Sequence, residues 1–144
     1  MKRQLLVAAL AACAAFSAQA RDTELHLPVQ DALNTAEART KLPGDVKFFF
    51  GDQKYGKVER SMGEDVTNQK TNAFNKSDEE ACQWVFLSAM LQLQKRAKDL
   101  GADAVVDIQS YYKKEPFVSA TEYECHAGGL IAGVALKGRF VKLK

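Results

Sequence analysis

The stretch from Ser77 to Gly101 constrains the fold more than any other part of this chain. It opens on Ser77-Asp78-Glu79-Glu80, a capping box: the Ser77 hydroxyl can accept from an early backbone N–H and Glu80 can reach back. The acidic side chains also complement the positive end of a helix dipole. Helix formers continue to Leu100, Lys95, Arg96 and Lys98 fill the last turns, and Gly101 can take the left-handed position that ends a helix. Placing residues at about 100° each puts Cys82, Val85, Phe86, Ala89, Met90, Leu93, Ala97 and Leu100 on one broad face. A face of that width has to cover a sheet. Trp84, Leu87 and Leu91 form a narrower stripe on nearly the opposite side, which makes it a candidate interaction surface. Either an N-terminal helix of the same chain or a partner subunit should cover it.

The flanking segments supply the strands. After Leu25, Leu27 and Val29 around Pro28, the helix formers of residues 31–39, closed by Pro43-Gly44, predict a short N-terminal helix. Three consecutive aromatics between Gly44 and Gly51 read as a buried strand over residues 46–50. Residues 57–67 read as a second strand, and the asparagine-rich stretch 68–76 as a loop. Beyond the helix, residues 104–112 form a strand expected to turn Ala104, Val106 and Ile108 toward the helix and Asp107 and Gln109 away. Residues 120–127 and 134–143 are the last two strands, with a glycine-rich bend between them. The expected fold is α+β: a small antiparallel or mixed sheet, one long helix across it and the short N-terminal helix.

Residues 1–20 read differently. Lys2 and Arg3 precede the apolar run from Leu5 to Phe16, and Ala18-Gln19-Ala20 places small residues where a signal peptidase cuts. The apolar run is about a dozen residues, short of the roughly 20 that span a bilayer, so no transmembrane segment is expected. On this reading residues 21–144 are a single periplasmic domain. The 20 basic and 18 acidic residues of the 144 become 18 and 18, which removes the basic excess that would point to nucleic acid. A second cleavage reading uses Leu10-Ala11-Ala12-Cys13 as a lipobox and gives an outer-membrane lipoprotein anchored at Cys13.

Two cysteines then remain, and in an oxidising compartment they should pair. Cys82 lies in the core-facing helical stripe and Cys125 on one face of its strand, so a Cys82–Cys125 disulfide is expected; a redox or metal-thiolate role is the alternative. Glu122, Glu124 and His126 alternate on the opposite face of that strand, and Asp107 could join them from a neighbouring one. Carboxylates with one imidazole suit a divalent metal, the one cofactor the sequence leaves open. Against that, Lys137 and Arg139 could face the glutamates as cross-strand ion pairs. His26 has nothing to pair with in sequence. Two histidines offer little for nucleophilic catalysis, and the glycine-rich stretch lacks the Gly-Lys-Ser/Thr ending that holds a nucleotide phosphate. No enzyme activity and no catalytic residue is expected.

The stretch Arg96-Ala-Lys-Asp-Leu-Gly-Ala-Asp-Ala-Val-Val-Asp-Ile108, then Glu124-Cys125 and Gly133-Val-Ala-Leu-Lys-Gly138, resembles the core of a superfamily of small bacterial domains. It is similar to the YbjQ-type heavy-metal-binding proteins and to the Rcs-pathway stress-sensor lipoproteins, over about residues 46–143. The resemblance implies a helix on a small β-sheet, ring-shaped oligomers in some members and an envelope location. The stress sensor has two disulfides and a long tether, where this chain has one cysteine pair and no proline-rich tether. The function expected from these readings is a non-enzymatic periplasmic binding or interaction module, in envelope-stress sensing, with an envelope protein or a second copy as partner. The alternative is a divalent heavy-metal-binding protein using the carboxylate and histidine face.

Overall fold

The computed structural model describes residues 21–144; the signal-peptide and lipobox readings concern residues 1–20 and lie outside the described residues. The chain folds as β1 (Thr23–Pro28), α1 (Val29–Leu33), α2 (Ala36–Lys41), β2 (Lys47–Phe50), β3 (Val58–Asn72), α3 (Asp78–Leu100), β4 (Ala104–Ser110), β5 (Glu122–Ala127) and β6 (Ile131–Leu143). A single turn of 3-10 helix, Tyr112–Lys114, lies between β4 and β5.

All six strands form one mixed sheet in the order β1-β5-β6-β4-β2, with β3 paired to β6 off this path. β6 is the spine. β3 pairs with it from Ile131 to Leu143, while β5 meets its first residues and β4 its later ones. Among the described residues only the β2–β4 pairing is parallel.

The long helix α3 packs across this sheet. The Ser77 hydroxyl accepts the Glu80 backbone N–H at 3.1 Å, and Gly101 ends the helix in the left-handed region at φ 75°. Cys82, Val85, Phe86, Ala89, Met90, Leu93 and Ala97 are buried against Phe50, Val105, Ile108, Tyr123, Val134, Leu136 and Phe140 of the sheet. Burying a large side chain of this kind stabilises by about 1.5–3 kcal/mol, so the layer between α3 and the sheet is the fold's main apolar core.

The structure departs from the sequence reading in four places. β1 is a strand, with the alternation Glu24-Leu25-His26-Leu27, where only a loose apolar signal had been read. The single N-terminal helix is two short pieces, because Thr35 takes an extended conformation and caps the second, its hydroxyl accepting the Ala38 N–H at 3.2 Å. β3 runs on through Asn72, its polar residues paired with β6.

The fourth departure concerns β4. Val105 and Ile108 face the helix, while Ala104 and Val106 lie in a separate small cluster with Val141, flanked by Phe49, Tyr55, Val58 and Leu143. The expected placement of Ala104 and Val106 beneath the helix is therefore wrong. Its cause is a bulge: the register slips between Val106 and Gln109, and Asp107 sits at φ 53°, so one extra residue returns Ile108 to the helix side.

Candidate functional site

β1 lies antiparallel on β5 with Glu24 opposite His126, Leu25 opposite Cys125 and His26 opposite Glu124. Alternation sends Leu25, Leu27, Tyr123 and Cys125 into the core and gathers Glu24, His26, Glu124 and His126 on the other face. Two histidines and two glutamates form a checkerboard there.

His26 Nε2 lies 3.1 Å from Glu24 Oε1 and 3.6 Å from Glu124 Oε1. The other oxygen of Glu124 is 3.2 Å from His126 Nε2, and His126 Nδ1 is 3.1 Å from Asp22 Oδ1. Aromatic rings fix both imidazoles: His26 stacks on Phe117 at 4.0 Å and His126 on Tyr112 at 3.6 Å. The side chains of Glu124 and His126 are each only 12% exposed, whereas His26 and Glu24 open to solvent at 38% and 55%. Glu124 is also held through its backbone, whose N–H donates to Ser110 Oγ at 2.9 Å.

Glu24, His26 and Glu124 each offer one ligand atom, and these atoms lie within 4.8 Å of one another. A tetrahedral zinc site with bonds of about 2.0–2.1 Å holds its ligand atoms about 3.4 Å apart. The two spacings from His26 Nε2 bracket that value.

Of the four ligands expected from sequence, the structure brings only Glu124 into this group. His126 stands beside it, against the second oxygen of Glu124. Glu122 is exposed two pairs further along, opposite Pro28. Asp107 does not join. It belongs to β4, which β6 separates from β5, and its carboxylate accepts from Arg139 Nη2 at 3.0 Å, Arg139 Nε at 3.2 Å and the Tyr55 hydroxyl at 3.3 Å. These bonds push the Arg139 guanidinium further above its ordinary range. Lys137 and Arg139 do not pair with Glu122 or Glu124 as the cross-strand reading had them; Lys137 pairs with Glu64 at 3.6 Å, and Arg139 with Asp107. His26, read as unpaired from sequence, and Glu24, which the sequence reading did not single out, supply two of the three ligand atoms. The signal that could have found them is the period-2 alternation in Glu24-Leu25-His26-Leu27.

The Cys82–Cys125 disulfide is formed, with both cysteines fully buried and 5.9 Å between Cα atoms. It joins α3 to β5 one residue from Glu124. At the start of the described residues Arg21 donates to both carboxylate oxygens of Asp78, at 2.8 and 2.9 Å, and this holds the Asp78 carboxyl below its usual range.

The Trp84 stripe is covered in part. Leu87 is buried, Leu91 is half-buried and Trp84 is 39% exposed. A cleft of about 250 Å³ opens over it, lined by Thr35, Glu37, Glu80, Gln83, Trp84 and Leu87. Lys41, the last residue of α2, is tied to α3 through Gln94, whose side-chain amide donates to the Lys41 carbonyl at 3.1 Å. Among the described residues no helix is long and apolar enough to cross a membrane. No protein-family model matches the chain, and no curated protein or solved structure does either.

Proposed function

We propose that this chain is an exported, non-enzymatic binding module that holds a divalent transition-metal ion of the zinc class on the β1–β5 face, through Glu24, His26 and Glu124. The observation that carries this reading is the convergence of two carboxylate oxygens on one imidazole nitrogen, His26 Nε2. A single N–H can serve only one of them well, whereas an ion at their centre bonds the nitrogen lone pair and both oxygens together. The mixture of one nitrogen and two oxygens, with solvent free to complete the shell, suits zinc and its neighbours better than calcium or magnesium, which take oxygen alone.

The surroundings support the same reading. Phe117 orients the His26 ring, and the chain Glu124–His126–Asp22 fixes the glutamate from behind, as partners outside the ligand set do in metal sites. Both cysteines of the described chain are consumed in the disulfide, which favours an oxidising compartment and so export. With the thiols bonded and the imidazoles facing carboxylates, the face is built for holding an ion rather than for nucleophilic chemistry.

The test is a zinc titration by calorimetry of protein purified without chelator, with elemental analysis of the same sample. One ion per chain is expected. His26→Ala and Glu124→Gln should each weaken binding by at least about tenfold, while Glu122→Gln leaves it unchanged. Binding should also weaken on acidification, because protons compete for the imidazole. Equal titrations of the wild type and His26→Ala would overturn the proposal.

A further inference from the structure

We infer that the cleft over Trp84 is a second binding site, independent of the metal face, and that it takes a cationic side chain, arginine above all, from a partner protein. The argument begins with charge. Glu37 of α2 and Glu80 of α3 both line this cleft, and among the described residues neither carboxylate has an ion-pair partner. The partly exposed indole of Trp84 lines the same cleft, and the faces of such a ring carry the negative side of its quadrupole. Two unpaired carboxylates and an open indole in one concavity favour a cation.

Lys41 already shows the preference, since its ammonium stands 6.0 Å from the ring centroid, at about the outer limit for a cation–π contact. It approaches the ring without filling the cleft, and it is not among the lining residues. The cleft of about 250 Å³ is smaller than the 300 Å³ or more that pockets for whole small ligands usually have, so it suits one side chain with the rest of the ligand outside. Arginine fits best: its planar guanidinium can lie flat on the indole while its N–H groups fork to the two carboxylates. Leu87, a buried residue of the same lining, offers apolar contact to the arginine stem.

Trp84 is the only tryptophan of the sequence, so it reports on its own site. The experiment follows its indole N–H resonance in the full-length, disulfide-bonded protein at constant ionic strength. The probe is N-acetyl-Gly-Arg-Gly-amide, and the same peptide with citrulline, a neutral isostere, is the comparison. A saturable shift is expected with the arginine peptide, and binding at least about fivefold weaker with citrulline. Glu37→Gln and Glu80→Gln should each weaken the arginine peptide about threefold or more, while Lys41→Ala tightens it. The His26→Ala variant, which tests the metal face, should bind the peptide as the wild type does, so the two proposals fail separately. No saturable shift, or equal binding of the two peptides to the wild type, would overturn this one. The peptide comparison needs no variant, so a substitution that fails to fold does not obscure the answer.

Discussion

Breaking the Cys82–Cys125 bond is the perturbation whose size the structure defines best. The bond spans a sequence separation of 43, and the chain entropy released to the unfolded state by opening a loop of that length is worth about 4 kcal/mol at 25 °C. Both cysteines are fully buried between α3 and β5, so the native protein shields the bond, and reduction is best done in denaturant before refolding. The assay is urea unfolding of the oxidised protein and of protein kept reduced, each followed by far-UV circular dichroism and Trp84 fluorescence. With a urea dependence of about 2 kcal/mol per molar, the midpoint should fall by about 2 M on reduction. A Cys82→Ala/Cys125→Ala variant should fall further, by roughly 1 kcal/mol for each sulfur lost from the packed layer. If the two midpoints agree within about 0.5 M, the loop-closure reasoning is wrong. If alkylation without reductant, read by intact mass, finds two modified thiols, the bond itself is absent.

Two further substitutions test the core. The Tyr123 hydroxyl is buried without a hydrogen-bond partner, so Tyr123→Phe should leave stability unchanged or raise it by about 1 kcal/mol at neutral pH, and a clear loss would show a hidden partner. Burial first, and then the charges of Glu79 and Asp31, raise this phenol's pKa well above its ordinary value of 10.0. The stability it contributes is therefore present below the unfolded-state pKa of about 10 and is lost as pH rises above it, by about 1.4 kcal/mol per pH unit. The Phe variant should lack that alkaline slope in urea midpoints measured between about pH 9 and 11. Gly138→Ala should cost about 1–3 kcal/mol, because an added Cβ would stand 2.6 Å from Val105 Cγ1 under the helix. Val105→Ala in the same chain should recover part of that loss, and no recovery would place the cost elsewhere.

What could be read from sequence divides by range. The limits of α3 depend on neighbours along the chain, the Ser77 cap and the Gly101 stop, and both appear in the structure where the residues placed them. The α+β class and the disulfide were equally legible, the first from element order and the second from two cysteines on inward-facing positions, whereas the choice between an antiparallel and a mixed sheet was left open and rests on the parallel β2–β4 pair. The inward face of β4 was not, because strict alternation carries no sign of the extra residue at Asp107, a position held by its contacts with Tyr55 of the β2–β3 loop and Arg139 of β6. The site was half-legible for a related reason. The alternation of Glu124 and His126 within β5 is local, but their partners on β1 lie about a hundred residues earlier, and Pro28 at the end of β1 hid a short edge strand.

That distance also says why the site needs the rest of the fold. β5 meets β6 through only His126 and Ala127, so its position rests largely on the bond from Cys125 to α3 and on β1 along its other side. β1 in turn is an edge strand, held by Leu25 and Leu27 against the core, by the His26 stack on Phe117 and, just before it, by the Arg21 pair with Asp78. A slip of one residue in the β1–β5 register would turn His26 into the core and Leu25 onto the surface, so the apolar pattern that fixes the register also fixes the ligand geometry. An ion bound by Glu24, His26 and Glu124 would bridge the two strands and stabilise the same register from the outer face. Binding and docking of β1 are then two readings of one equilibrium: whatever loosens the strand weakens the ion, and the ion opposes loosening by the same free energy.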